Sequence, residues 1–439
     1  MIEQPPKIKI GTNSPLTLIL ESNKALNNLK DKDFIKIEED YLYWDKIKYL
    51  KIEDIQGEDL WKFIKIARHL NEKDIKIGED INVNVKYNIN EYLQQKLHYL
   101  DFNFGAGLQK EQLLTDLDKQ QYLDEALMEE SIFSSRIEGA VTTRVVAKEM
   151  LRKNKKPKNK SERMILNNYK TIQYISEHQN EDISIEKLYE IHRLVTKNTL
   201  EEKEVGVFRT TNDINVVNEL TGEVVHRPPS FKELHELMKS LCDFFNHNPK
   251  EDFIHPIVKG SILHFLMGYI HPFTDGNGRT ARAIFYWYLL KNGYWLTEYL
   301  SVSRIIMKTK AQYEKAYLYT EIDEMDVTYF IHYQVKVLTR AFEALKDYVA
   351  EKKKEQTKLL KYLRKGDINE RQAAVLQKLE EDKNRFFTVK EIENTFGITN
   401  QTARTDMEEL VEKGFLKKIP VDKKSFSYWK GNRFDKTFL

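Results

Sequence analysis

Two apolar runs dominate the middle of the chain. Across residues 253–270, Ile257, Ile262, Phe265, Leu266 and Tyr269 recur at the spacing of one helix face, and residues 281–290 are nearly all apolar, as in a helix buried on every side. The same spacing predicts helices over 57–70 (apolar face Leu60, Trp61, Phe63, Ile64, Ala67, Leu70), 161–177, 184–199, 231–246, 309–321 and 325–365. Residues 109–152 also read as helical, broken where Gly139 ends one helix before another starts at Ala140, because glycine inside a helix costs about 1 kcal/mol relative to alanine. Short alternating segments at 7–10, 41–44 and 81–85 give the first hundred residues a mixed α+β character, with Trp44 and Trp61 as core residues. Residues 102–107 read as a loop and 295–303 as a connection. Residues 213–225 alternate, with Thr221-Gly222 at the turn and Pro228-Pro229 closing the segment, which predicts a β-hairpin in a helical setting.

The last seventy residues follow a different order. Helices over 370–379, 388–396 and 400–413, a turn at Gly397, then strands over 415–420 and 425–429 with Lys423 and Lys424 between them, read as a winged helix. The helix over 400–413 would be the recognition helix, yet it carries Asp406, Glu408, Glu409 and Glu412. Residues 388–431 hold 8 Lys+Arg against 7 Asp+Glu, whereas a DNA-binding face needs a positive surplus to offset the phosphates. DNA binding and a dimerisation or regulatory module on the same fold are both compatible with this pattern.

Composition narrows the classes. With 70 Lys+Arg and 68 Asp+Glu the chain has no global field to draw it to nucleic acid or an acidic membrane. The single cysteine, Cys242, excludes an internal disulfide, and it is expected to be buried rather than catalytic. No charged-then-apolar leader and no apolar run of roughly twenty residues is visible, so the expected location is cytoplasmic, without membrane contact. The basic run 153–160 reads as a solvated linker, and His255 and His264 as packing or surface residues outside any metal-ligand pattern.

The chemistry concentrates in the twelve residues between the two apolar runs. Asp275-Gly276-Asn277-Gly278 is turn sequence placed where the second helix would begin, and free backbone N–H groups at a helix start form an anion site. Arg279 and Arg282 are three apart on one face, so both guanidinium groups can reach the same anion. Asp275 is a hard oxygen ligand of the kind that holds Mg²⁺ beside a phosphate, and His271 is the nearby group that titrates near neutrality, a candidate general base. Together they suggest attack of a hydroxyl on a nucleotide phosphorus.

The spacing His271-x-Phe273-x-Asp275-Gly276-Asn277-Gly278-Arg279-x-x-Arg282 resembles the Fic family signature His-x-Phe-x-(Asp/Glu)-Gly-Asn-Gly-Arg-x-x-Arg at every fixed position. The resemblance implies a mainly α fold: an all-helical Fic core with a β-hairpin flap, a small α+β N-terminal region and a C-terminal winged helix. The corresponding segments are 1–105 as an N-terminal cover, 106–160 with an inhibitory helix and the basic linker, 161–350 as the core, 351–366 as a helical linker and 367–439 as the winged helix. It further implies transfer of AMP from Mg-ATP to a Ser, Thr or Tyr hydroxyl of a target protein. His271 would be the base and Asp275 the Mg²⁺ ligand. Gly276, Asn277 and Gly278 would cradle the α-phosphate, Arg279 would bind the β-phosphate side and Arg282 the γ-phosphate, with Phe273 anchoring the loop.

Ser134-Ser-Arg-Ile-Glu138-Gly139 resembles the family's inhibitory motif (Ser/Thr)-x-x-x-Glu-(Gly/Asn), which implies that Glu138 reaches Arg282 and takes the γ-phosphate's place. Arg209 and Thr210 resemble the stretch that precedes the flap, where the target's backbone would dock as an added strand. Tyr313 falls where relatives often carry a Tyr-Tyr pair at the nucleotide base, but here the pair is Tyr313-Glu314. Expected partners are therefore ATP and a target protein, with a homodimer or DNA compatible with the winged helix. Two other readings share these residues: removal of AMP from a target, with Glu138 orienting water, and a transcription regulator that uses the Fic domain to sense nucleotide.

Overall fold

The computed structural model describes residues 2–7, 32–52, 55–77, 83–104, 116–218, 221–247, 253–381, 385–421 and 425–438. The chain divides into two compact units, Met1–Leu345 and Lys346–Leu439.

In the first unit the helices Pro256–Ile270 and Asn277–Lys291 pack on each other around the loop that joins them. Pro256 opens the first of them at the position where a missing N–H costs nothing, and His255 caps it by accepting from the Ile257 N–H at 3.2 Å. Almost every residue of both helices is buried, as their unbroken apolar character requires. Around them stand Lys160–Glu177, capped by Asn159, and Ile185–Thr196, capped by Ser184. The long helix Asp116–Ile137 lies against Lys160–Glu177 and against Val302–Lys308. That last short helix and the 3₁₀ turn Trp295–Tyr299 replace the plain connection expected over 295–303.

The N-terminal region forms part of the same unit. Leu60, Trp61 and Ile64 of the helix Gly57–His69 are buried, with Tyr43, Trp44 and Tyr329 in one cluster. Leu70, expected on that apolar face, is instead 46% exposed, because the helix stops one residue before it. Residues 41–44 are not a strand: Tyr41 has φ +46° and the chain turns into the short helix Trp44–Ile47. Val83–Tyr87 pairs antiparallel with Lys73–Ile77, whereas residues 8–10 and 81–82 lie outside the described residues. Phe102–Phe104 end a helix, Glu91–Phe104, that alternation had hidden, and the rest of the loop expected over 102–107 falls outside the described residues. After Gly139 (φ +87°) the chain runs extended to Thr143, which caps Arg144–Arg152, so no helix starts at Ala140. Cys242 is buried in Leu234–Asn246, and burial pushes its thiol up to about 12, which removes it from nucleophilic chemistry.

In the second unit three helices and three strands follow the long helix Thr328–Gly366. Glu370–Glu381, Val389–Phe396 and Asn400–Glu412 are followed by strands in the order Phe386–Phe387, Phe426–Lys430, Leu416–Pro420, all antiparallel. Gly397 takes φ +62° at the turn between the last two of these helices. A terminal helix, Asn432–Phe438, inserts Phe434 and Phe438 into the core with Leu376, Met407 and Tyr428. The wing lysines 423 and 424 lie outside the described residues. Among the described residues no helix is long and apolar enough to cross a membrane.

Candidate active site

The loop begins where Pro256–Ile270 stops. His271 is its C-cap in the left-handed region (φ +48°, ψ +58°), and its own N–H still donates to the Met267 carbonyl. This turn swings the imidazole back so that Nδ1 faces the Gly268 carbonyl at 3.3 Å. With Nδ1–H donating there, Nε2 is left as an acceptor. Burial pushes the ring's proton affinity down to about 4, against the smaller upward pull of the Gly268 carbonyl, so His271 is neutral at pH 7.

Phe273, fully buried, anchors the loop. Its N–H donates to Asn277 Oδ1 at 2.9 Å and its carbonyl accepts from Asn277 Nδ2 at 2.8 Å. Asn277 is therefore spent on bracing the loop through its side chain. A histidine absent from the sequence reading completes the brace. His192, fully buried on Ile185–Thr196, stacks on Phe273 at 3.8 Å with 5° between planes, donates from Nε2 to the Asp275 carbonyl at 2.9 Å and accepts at Nδ1 from the Gly206 N–H at 2.9 Å. Those two bonds fix its tautomer, and burial pushes its proton affinity down to about 4. A histidine on the same helix face as Leu188, Ile191 and Val195 was the available signal, since a buried ring must find partners.

Gly276, at φ +84°, permits the turn into the second helix, and a Cβ there would lie 2.8 Å from Thr196 Cγ2. Asp275 is 43% exposed at its side chain, with Oδ1 3.5 Å from Arg279 Nη2. Arg279 is buried and donates from Nη1 to the Val195 carbonyl at 2.9 Å; its Nε has no hydrogen-bond partner among the described residues.

Arg282 lies at the centre of the remaining contacts. Its Nε donates to Ser134 Oγ at 2.8 Å, and its Nη2 donates to the Ser134 carbonyl at 2.9 Å and to Glu138 Oε1 at 3.0 Å. Its Nη1 is buried without a partner among the described residues. The Glu138 carboxylate also lies against the start of the second helix: a Cβ on Gly278 would collide with Oε1 and lie 2.9 Å from Cδ. Glu130, buried eight residues before Glu138, accepts from the Ser303 N–H at 2.8 Å and from its hydroxyl, and burial raises its proton affinity. Ser134 and Glu138, four apart, hold Arg282, while Glu130, four residues before Ser134, holds Ser303; only the first two were legible beforehand.

The structure thus gathers Ser134, Glu138, Gly278 and Arg282 in direct contact, and braces Asp275, Gly276, Asn277 and Arg279 on the adjoining turn. Tyr313 and Arg209 lie beside these contacts. Tyr313 is buried, its hydroxyl 2.9 Å from His264 Nε2 and 3.4 Å from Tyr317, and the nearby Arg282 charge works against the rise that burial imposes on its proton affinity. It is a buried residue near Arg282, and its bonds run to His264 and Tyr317. Arg209 is 3% exposed and acts as a staple: its N–H donates to the Pro272 carbonyl at 2.8 Å, Nε to the His271 carbonyl at 3.0 Å, and its other nitrogens to Thr211 and Pro229 carbonyls. Thr210 beside it is exposed. The hairpin itself forms, Val216–Val217 with Val224–His226; residues 219 and 220 at its tip are outside the described set. His264, read as packing, is bonded on both ring nitrogens, to Tyr313 and to Gln334 at 2.7 Å.

The buried neutral histidines carry a prediction about stability. Burial lowers the proton affinity of His192, His264, His271 and His332 alike. An unfolded histidine binds its proton near pH 6.5, so between about pH 6.5 and 4 the unfolded chain holds more protons than the folded one. Their contribution is complete above pH 6.5 and is lost as pH falls, by about 2 kcal/mol at pH 5 for each of His192 and His271. Urea midpoints should drop between pH 7.5 and 5. His192→Phe keeps the stack but orphans the Gly206 N–H and the Asp275 carbonyl, at about 1–3 kcal/mol each. It should lower the midpoint at pH 7.5 and flatten the pH slope.

Comparisons with known proteins agree with this geometry. Protein adenylyltransferase Fic of Nematostella vectensis is 28% identical over 166 residues, which are 38% of this chain and 35% of that protein. Protein adenylyltransferase fic-1 of Caenorhabditis elegans is 34% identical over 116 residues, 26% of this chain and 21% of that protein. The chain therefore spans about a third or less of the curated relatives it matches. The solved structure of Fic-1 from Caenorhabditis elegans superposes with a TM-score of 0.51 at 19% identity, covering 79% of this chain and 90% of that one, a likeness of fold. Residues 371–419 match the DeoR-like helix-turn-helix domain, in keeping with the winged helix seen here. Residues 182–289, which hold the helix pair, the His271–Arg282 loop and the hairpin, match the Fic/DOC family.

Proposed function

We propose that this protein is an adenylyltransferase that moves AMP from Mg-ATP to a hydroxyl of a protein target, held off by Glu138. The observation that carries the reading is the Glu138 carboxylate itself: it occupies an anion site made by Arg282 and the Gly278 end of a helix. A site that orders a carboxylate there, with a further buried Arg282 N–H and an Arg279 N–H unpaired, suits the oxygens of a polyphosphate. ATP is the substrate that the curated relatives' names imply.

The steps follow from the side chains. His271 Nε2, held unprotonated, takes the proton of the target hydroxyl; the hydroxyl oxygen forms a bond to the α-phosphorus, and the bond to the bridging oxygen breaks, releasing pyrophosphate. Arg279 and Arg282 orient the phosphates so that this bond lies in line. Asp275 fits Mg²⁺: it is a half-exposed carboxylate next to the cradle, and Mg²⁺ is commonly held by one carboxylate plus phosphate and water oxygens. When bound, the ion would offset phosphate charge. Among the described residues no group of three His, Cys, Asp or Glu side chains could hold a metal alone, so the nucleotide would supply the other ligands. Glu138 on Arg282 forces the outer phosphate elsewhere and spoils the alignment.

Parallel reactions with α-labelled and γ-labelled ATP test this. AMP transfer puts the α label, and not the γ label, on protein. Label from both donors, or from γ alone, would rule it out.

For the second unit a specific observation favours DNA. Three of the four acidic residues that weighed against it, Asp406, Glu408 and Glu409, have internal partners, while Glu412 is exposed. Asp406 accepts from Arg371 at 2.7 and 3.1 Å and from Asn369 at 2.8 Å, Glu409 from Gln372 at 2.6 Å, and Glu408 from Lys418 and from Tyr428 at 2.9 Å. Asn400, Gln401, Arg404 and Thr405 are left exposed on the helix, side chains suited to adenine and guanine edges. Charge is also divided: residues 346–439 hold 22 Lys+Arg against 16 Asp+Glu, net +6, while the whole chain is +2. Fluorescence anisotropy on a duplex library should find a preferred sequence, weakened by Arg404→Ala on the order of tenfold. Duplex binding without sequence preference, or none at low salt, would remove this reading.

A further inference from the structure

We propose that His226 is a positioning residue, a proton-dependent staple that fixes the hairpin 213–226 against the helix end carrying His271. His226 is the last residue of the strand Val224–His226 and is 7% exposed. Its Nε2 lies 2.7 Å from the Tyr269 carbonyl and its Nδ1 2.7 Å from Glu321 Oε2. A carbonyl and a carboxylate can only accept, so both bonds exist together only if the His226–Glu321 pair retains one proton beyond a neutral ring and an ionised acid. Remove it, and either a lone pair on Nδ1 faces the carboxylate or the Tyr269 carbonyl loses its donor.

The place of the contact gives it consequence. The last carbonyls of Pro256–Ile270 have no donors within the helix. His271 caps Met267 and Gly268, and His226 caps Tyr269. Arg209, just before the hairpin in the chain, donates to the His271 carbonyl. Arg209 and His226 therefore hold the backbone on both sides of His271. Arg209 keeps its charge at all working pH values, and His226 need not.

The other titratable groups facing this point do not change between pH 6 and 8.5. His271 is already neutral, and the Tyr269 phenol is raised above its ordinary range by burial and by Glu321 and Glu233.

Hydrogen exchange of the hairpin amides in the full chain, without ATP, tests the staple. Corrected for intrinsic rates, protection over 213–226 should fall about tenfold from pH 6 to pH 8.5, the equivalent of one net hydrogen bond. In Glu321→Gln the amide can accept from, or donate to, Nδ1, so the neutral ring stays bonded on both sides and protection should be high and independent of pH. His226→Ala should give low protection at both pH values. A wild type indifferent to pH, or a Glu321→Gln variant that still opens at pH 8.5, overturns the proposal. The role in target positioning rests on the proposed AMP transfer; the exchange readout does not, so either can fail alone.

Discussion

Glu138→Gly is expected to raise AMP incorporation from α-labelled ATP on the order of 10²-fold, the effect of correcting a misplacement of about 1 Å in a reacting group. The direction follows from what Arg282 holds. Glu138 Oε1 is 3.0 Å from its Nη2, and the same carboxylate fills the space above Gly278. Burial disfavours the Arg282 charge, and Glu138, with Tyr313 and Glu130, holds it in place. Glycine at 138 would leave that charge under-compensated in the absence of nucleotide, so the variant should melt at a lower temperature than wild type and regain stability in ATP. Scintillation counting and thermal melts with and without ATP read both effects. No gain in incorporation, with ATP binding unchanged, would show that the ion pair is structural.

His271→Ala in the Glu138→Gly background should reduce incorporation by about 10²–10⁴-fold, the range for loss of a positioned base. Affinity for ATP should hardly change, because His271 holds the hydroxyl side of the reaction and Arg279 and Arg282 the phosphates. The pH profile separates base from bystander. An ordinary histidine would lose activity as pH falls through about 6.5. With His271 pushed down to about 4 by burial, activity of the Glu138→Gly protein should persist to pH 5.5 and fall only as pH approaches that value. Loss centred near pH 6.5 would assign the base to another group.

Much of this site could be read in advance because it is local in sequence. Base, carboxylate, glycines and both arginines sit in one loop between two helices, and the Ser134–Glu138 spacing is a single helical turn. What could not be read was long-range. His192 meets Asp275 across 83 residues and His226 meets Glu321 across 95, and neither lies in a spaced motif. Periodicity reports that a side chain is buried but not which partner satisfies it, and those partners decide whether a buried histidine is inert or braces the loop. Tyr313 is the reverse case: a position matched by resemblance is buried near Arg282 and bonded to His264. In the second unit, counting charges along the helix 400–412 left DNA binding and a dimerisation or regulatory role both open, because a count cannot tell an exposed Glu from an Asp406 bonded to Arg371.

The most direct test is intact and peptide mass spectrometry of the Glu138→Gly protein after incubation with Mg-ATP, run beside the Glu138→Gly, His271→Ala double variant. The first should gain the mass of one or more adenylyl groups on Ser, Thr or Tyr, and the second should stay unmodified. Equal modification of both, or a gain of phosphate in place of AMP, would contradict a loop in which His271 drives AMP transfer and Glu138 restrains it.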